Sequence, residues 1–221
     1  MSLPAKALAR FLAGSLILGL LIFLPAGTLR FANGWLFLAL LLIPMFIVGL
    51  VMLKKAPALL KSRLDSKEKQ GEQRQVIALS GLMFLSGFIL AGLDYRFGWT
   101  ALPDWAVLLA VLVFLLGYVL YAEVLRENAW LSRTVQVQEG QQVVDTGLYG
   151  VVRHPMYLST LLLFLSMPLV LGSGAALVPF LLHPFLMAKR IRSEEALLRQ
   201  KLPGYEAYTH KVRYRMIPLI W

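Results

Sequence analysis

The sequence has no cysteine, only three histidines, and only 12 acidic residues among 221. Without thiols there is no thiolate nucleophile, no Cys-ligated zinc or iron–sulfur cluster, and no disulfide. Charge is scarce as well: 15% of residues are charged and 58% are hydrophobic, where a soluble domain carries about a quarter and about half. The deficit falls on the residues that would cover a water-facing surface. With a mean hydropathy of +0.69, the chain reads as a polytopic membrane protein, which excludes secreted disulfide scaffolds, disordered polyelectrolytes and ordinary soluble enzymes. The 22 Lys and Arg residues give a net charge of +10. In a membrane protein such an excess is first a topology signal and a counter-charge for anionic lipid, so nucleic acid is not expected as a partner.

What is present is a series of apolar runs. Crossing a hydrocarbon core of ~30 Å takes about 20 helical residues, and four runs qualify: Leu8 to Leu24, Gly34 to Leu53, Val76 to Leu93 and Trp105 to Leu125. Lys6 and Arg10 before the first run would suit a signal peptide, but Pro25-Ala26-Gly27 offers no clear cleavage site, so a retained helix is expected. A fifth region, Tyr157 to Ala188, is too long for one helix and is punctuated by Pro168, Gly172, Ser173, Gly174 and Pro179. It reads as a hairpin of two helices joined by a tight uncharged turn. The expected fold class is all-α, a polytopic transmembrane bundle of about six spans with a C-terminal helical hairpin. Residues 1–125 would form a four-span scaffold and residues 126–221 the functional region. Gly81, Ser86 and Gly87 are expected to serve close helix packing.

Charge sets the expected orientation. The connection Lys54 to Gln75 is net +4 and the tail Lys189 to Trp221 is net +5, whereas the connection around Asp94, Arg96 and Asp104 is net −1. With six crossings, both basic segments, both termini and the connection Arg126 to Pro155 share one side, which the positive-inside rule makes cytoplasmic. Ionisable groups are nearly absent from the middles of the first four spans, Glu123 coming closest, so an ion or proton pathway is not indicated.

Polar chemistry is concentrated in the last 95 or so residues. Asp145 to Tyr149 reads Asp-Thr-Gly-Leu-Tyr, and Arg153 to Tyr157 reads Arg-His-Pro-Met-Tyr. Pro155 suits the first turn of a membrane helix, whose free amide groups carry partial positive charge. Taken alone, Arg153 and His154 there could be no more than interfacial anchors. A second cluster, Arg190, Glu194 and Glu195, lies in a segment free of Pro and Gly. Residues four apart share a helical face, so Arg190 and Glu194 can present opposite charges to one site, or merely form a solvated pair. The hairpin returns this helix to the interface where Arg153 and His154 sit. Cations, an imidazole, carboxylates, and Tyr149 and Tyr157 as aromatic faces thus meet beside an apolar interior, an environment suited to a zwitterionic aromatic cofactor and an amphiphilic substrate.

The run Gly147-Leu148-Tyr149 to Arg153-His154-Pro155-Met156-Tyr157, followed by an apolar hairpin, Arg190 to Glu194-Glu195, and Gly204-Tyr205 to Tyr208, resembles the isoprenylcysteine carboxyl methyltransferase family. Related phospholipid methyltransferases share the general Arg-His-Pro and Glu-Glu pattern. The resemblance covers about Gln136 to Trp221; the earlier spans match in character only. Ser159 departs from the Gly that many members carry there. The resemblance implies S-adenosyl-L-methionine as cofactor, contacted by Gln136, Gln142, Val143, Val144, Tyr149, His154, Pro155, Met156, Tyr157 and Glu194. Arg190 would meet the substrate, with Glu194, His154 and Arg153 completing the catalytic set and no metal required. Nothing in the chain supplies the strand, Gly-x-Gly and helix of a soluble Rossmann-type methyltransferase. The implied reaction is in-line methyl transfer from a sulfonium to a lipophilic or prenylated acceptor drawn from the membrane lipids. For a carboxylate acceptor no general base is needed, and proximity and exclusion of water carry the rate. A lipid amine, a nicotinamide-dependent sterol-type reduction on a related architecture, and a non-enzymatic scaffold are the competing readings. Oligomeric state is not legible.

Overall fold

The computed structural model describes residues 2–64, 71–132 and 136–221, without the side chains of residues 62–63 and 71–73. Asp65, Lys67, Glu68 and Lys69 of the basic second connection, and residues 133–135 of the later polar one, lie outside the described residues. All regular structure among the described residues is helical: α1 (Leu3–Ala26), α2 (Ala32–Lys55), α3 (Pro57–Leu64), α4 (Gly71–Phe97), α5 (Asp104–Glu127), α6 (Pro155–Val170), α7 (Leu177–Phe180), α8 (His183–Lys201) and α9 (Tyr205–Lys211), with a 3₁₀ turn at Gly147–Gly150. Each of the four long apolar runs lies inside one helix. α1, α2, α4 and α5 are long and apolar enough to cross a membrane.

The hairpin differs from its expected form. α6 has 16 residues, about 24 Å at ~1.5 Å per residue, and the returning arm is divided into α7 and α8. The division falls where Pro184 occupies the first turn of α8. Proline has no N–H to give the carbonyl four residues back, so the ladder stops and restarts from Leu186 N–H to Leu182 O (3.1 Å). The arm is therefore shorter and more irregular than a second full span.

One core runs through the bundle. Ile22 and Phe23 of α1, Phe37 of α2, Phe88 of α4, Phe114 of α5, Leu163 and Met167 of α6 and Phe180 of α7 belong to the same buried cluster. It crosses the expected division at residue 125, because α5 lies along α6. They come close at Gly117, where a Cβ would lie within 2.8 Å of Leu163 Cγ. Gly92 does the same for α4 against α1, where a Cβ would meet the Ile22 carbonyl oxygen at 2.5 Å. These small residues let backbones touch where a side chain would hold them apart. Of the residues expected to do this, Gly87 does, facing the Phe180 ring; Gly81 faces nothing within 4 Å. The Ser86 hydroxyl turns back onto Leu82 O (2.8 Å) in its own helix.

The polar ends differ. At one end, Asp94 is 1% exposed and its carboxylate accepts from the Thr100 amide (2.7 Å) and hydroxyl and from Ser173 Oγ (2.5 Å). The α4–α5 turn is thereby fastened to the hairpin turn. The basic segments meet at the opposite end, where Arg10 donates to Leu64 O and Lys189 Nζ to Gln75 Oε1 (3.0 Å).

Candidate functional site

The site is built where the polypeptide enters and leaves the hairpin. His154 precedes α6 in a non-helical conformation (φ −127°, ψ 61°), and Pro155 opens the helix. The amides of Arg153 and His154 donate to Tyr214 O (2.9 Å) and Arg215 O (2.7 Å), so the C-terminal segment is laid alongside the Arg-His-Pro turn. Arg153 extends this tie: its Nη1 donates to Val212 O (2.6 Å) and Arg213 O (2.9 Å).

Glu195 is the hub beneath. Its Oε1 accepts from Arg153 Nε (2.7 Å) and lies 3.2 Å from His154 Nε2, and its Oε2 accepts from Arg215 Nε (2.9 Å). Burial alone would raise the affinity of this carboxyl for a proton. Hydrogen bonds from His154, Arg153 and Arg215 outweigh that and hold it well below the ordinary carboxylate value. An ionised carboxylate only accepts, so His154 Nε2 carries the hydrogen of that contact, leaving Nδ1 as the ring atom for any other partner.

Glu194, about 100° around the helix, faces elsewhere. Tyr157 Oη donates to Glu194 Oε2 (2.5 Å) and accepts from Arg190 Nε (2.9 Å). Arg190 and Glu194 are thus coupled through a phenol on the facing helix, with the guanidinium carbon 6.0 Å from the centre of the Tyr157 ring.

A cleft opens between this hub and the polar connection. It is lined by Asn128, Trp130, Leu131, Ser132, Gln136, Gln141, Gln142, Val143, Val144, Tyr149, Arg153, His154, Met156, Tyr157, Glu194, Leu198, Leu202, Tyr205 and Tyr208. The far wall is a small separate core of Leu198, Leu202, Tyr205, Tyr208 and Val212, against which Val137 and Val143 pack. Polar ties fix that wall: Tyr208 Oη donates to Tyr149 O (2.7 Å), Asn128 Nδ2 to Tyr149 Oη (2.9 Å), Lys211 Nζ to Asp145 Oδ2 (2.6 Å) and Arg199 Nη1 to Glu206 Oε2 (2.8 Å). Lys211 beside Asp145 holds that exposed carboxyl below its ordinary value.

Of the residues singled out from sequence, Gln136, Gln142, Val143, Val144, Tyr149, Arg153, His154, Met156, Tyr157 and Glu194 border the cleft, whereas Pro155 and Arg190 do not. Pro155 is buried in the first turn of α6, and Arg190 reaches the site through Tyr157. Arg153 borders the cleft, but its guanidinium is spent on Glu195 and the C-terminal carbonyls, a structural arrangement. Ser159 is fully buried, its hydroxyl satisfied by Met156 O (2.7 Å), away from the cleft wall. Sequence reading gave no site role to Asn128, Trp130, Leu131, Ser132, Gln141, Leu198 or Leu202, and none to Tyr205 and Tyr208 beyond their place in the motif. The apolar spacing of Leu198, Leu202 and Tyr205 was the available signal for a packed wall. Among the described residues, no cluster of three or more His, Asp or Glu side chains could hold a metal ion.

Comparison with known proteins bears on this geometry. Residues 105–203 match the phospholipid methyltransferase family. Over its whole length the chain superposes on 88% of the eukaryotic intramembrane Ras methyltransferase ICMT (isoprenylcysteine carboxyl methyltransferase), with a TM-score of 0.51 and 17% identity. The likeness to ICMT shows the fold, and the family match covers 99 of the 221 residues. A 91-residue stretch, 40% of the chain, is also 31% identical to the delta(14)-sterol reductase of Mus musculus, of which it spans 22%. The ICMT-like fold supports a helical membrane protein whose cleft is assembled from helix ends and connections.

Proposed function

We propose that this ICMT-like chain methylates a lipophilic acceptor at the cytoplasmic membrane face, using S-adenosyl-L-methionine, and that the acceptor group is a carboxylate of the isoprenylcysteine kind. The observation that carries the reading is the Arg190–Tyr157–Glu194 relay beside the cleft. It pairs a cation suited to a carboxylate with an anion suited to a cationic cofactor. Cofactor fit rests on the donor set: amides of Asn128, Gln136, Gln141 and Gln142, aromatic faces of Trp130, Tyr149 and Tyr157, and the Glu194 carboxylate. The open space is about 110 Å³, below the ~300 Å³ at which small-molecule sites begin. A ligand of adenosyl size therefore requires the cleft to widen on binding.

When bound, the cofactor supplies a sulfonium methyl whose C–S bond breaks as the C–O bond to the acceptor forms, leaving a neutral thioether and ester with no proton to move. Arg190 orients the acceptor carboxylate through its planar donor fork. Tyr157 holds that guanidinium and Glu194 in register, and Glu194 offsets positive charge in the cleft. His154 serves as a cofactor contact through Nδ1, its Nε2 being engaged by Glu195; a carboxylate acceptor is already ionised and requires no base. Apolar surfaces of α6 and α8 exclude water from the reacting atoms.

Incubation of the purified protein with methyl-labelled S-adenosyl-L-methionine and a panel of prenylated thioether carboxylates and phospholipid amines tests the reading. Label in a base-labile ester is expected. Label only in amines would favour the lipid N-methyltransferase reading. A sterol-type reduction is the second reading, favoured by the reductase match alone; NADPH-dependent saturation of a sterol double bond would replace the proposal with it.

A further inference from the structure

Tyr205 and Tyr208 stand one turn apart on α9, both buried and both on the cleft wall, and their hydroxyls are treated oppositely by the fold. Tyr208 Oη has an internal acceptor, the Tyr149 carbonyl at 2.7 Å. Tyr205 is 4% exposed, and among the described residues its hydroxyl has no hydrogen-bond partner. A buried hydroxyl without a partner is destabilising, and native proteins keep few of them. Phenylalanine would fill the same wall among Leu198, Leu202 and Tyr208 without that penalty, so packing does not account for the oxygen.

We infer that Tyr205 is a further positioning residue of the site, its hydroxyl donating a hydrogen bond to the bound adenosyl cofactor. The inference rests on the cofactor reading proposed above. Burial first, and then the charges of Glu195 and Glu194, raise the phenol above its ordinary value. It therefore keeps its proton and offers a donor to an oxygen or nitrogen acceptor. Gln136, Gln142, Tyr149, His154, Tyr157 and Glu194 are the polar groups that the family resemblance assigns to the ligand; Tyr205 would add another from α9.

The test compares Tyr205→Phe with Tyr208→Phe in the full-length protein in detergent, measuring the melting temperature without ligand and, by calorimetry, the dissociation constants of S-adenosylmethionine and S-adenosylhomocysteine. Tyr205→Phe is expected to melt at or above the wild-type temperature, since it removes an unsatisfied group. Its dissociation constants for both compounds should rise about tenfold, the size of one lost hydrogen bond. Tyr208→Phe is expected to melt lower, because it removes a buried hydrogen bond to the Tyr149 carbonyl. Unchanged dissociation constants in Tyr205→Phe would overturn the inference while leaving the cofactor reading intact. A melting temperature as low as that of Tyr208→Phe would also overturn it, by exposing a structural partner for the hydroxyl. Failure of the wild type to bind either compound would instead remove the cofactor reading and the inference together.

Discussion

Arg153 and Glu195, 42 residues apart, form a 2.7 Å ion pair in which both side chains are about 5% exposed. This pair joins the turn before α6 to the middle of α8, and through Arg153 Nη1 it also fixes the C-terminal segment. Removing one member of a buried pair strands the other, at a cost of about 3–5 kcal/mol. Glu195→Ala should therefore lower the stability of the apo protein by that order, measured as a loss of melting temperature in detergent. A change under about 1 kcal/mol, typical of an exposed pair, would contradict the hub.

The same carboxylate gives a pH dependence of definite sign. Its folded value lies below the ordinary 4.5, so the unfolded chain takes up the proton first as pH falls. The stability it contributes is fully present above that ordinary value and is lost as pH falls through the folded one. Thermal unfolding of the wild type should weaken progressively on acidification below about pH 5. Glu195→Gln should start lower and show a flatter acid limb; an unchanged limb would mean that another carboxylate dominates.

Adjacent glutamates divide the labour of α8. Glu194 borders the cleft and accepts from Tyr157, while Glu195 is occupied on both oxygens. Glu194→Gln should weaken S-adenosylmethionine binding roughly tenfold or more, the scale of a charge-assisted hydrogen bond of ~1.5–3 kcal/mol, with a small effect on melting. Relative to its effect on melting, Glu195→Gln should perturb binding less. Calorimetry paired with melting would detect the reverse ranking.

Arg190→Lys separates acceptor from cofactor. It keeps the charge but loses the planar fork and the Nε donor that meets Tyr157. Methyl transfer should fall at least about tenfold while S-adenosylhomocysteine binding stays within a few-fold of wild type. An equal loss of both would assign Arg190 to the cofactor.

Much of the arrangement was legible because it rests on local rules. Run length located α1, α2, α4 and α5; the Pro155 position located the start of α6; and the spacing of Arg190 and Glu194 put them on one helical face. Other features depend on distant partners. Arg153 looked like a site cation, yet its partners are Glu195 and the carbonyls of Val212 and Arg213, in a C-terminal segment with no periodicity to announce its path. Gly81 and Gly92 are equivalent as letters, and only the path of α1 decides that Gly92 is the contact. Pro179 and the glycines signalled a turn in the hairpin, but the break before α8 follows from Pro184, which sequence reading passed over. Asp94 was counted as a loop charge, although Thr100 and Ser173 enclose it.

Ligand-dependent thermal stabilisation tests the proposed binding of an adenosyl cofactor in the cleft most directly. A ligand that binds only the folded state contributes about 2.7 kcal/mol at 100 times its dissociation constant. S-adenosylmethionine and S-adenosylhomocysteine are expected to raise the melting temperature in proportion to the logarithm of their concentration, with NADPH inert. Stabilisation by NADPH with no response to either adenosyl compound would contradict the account.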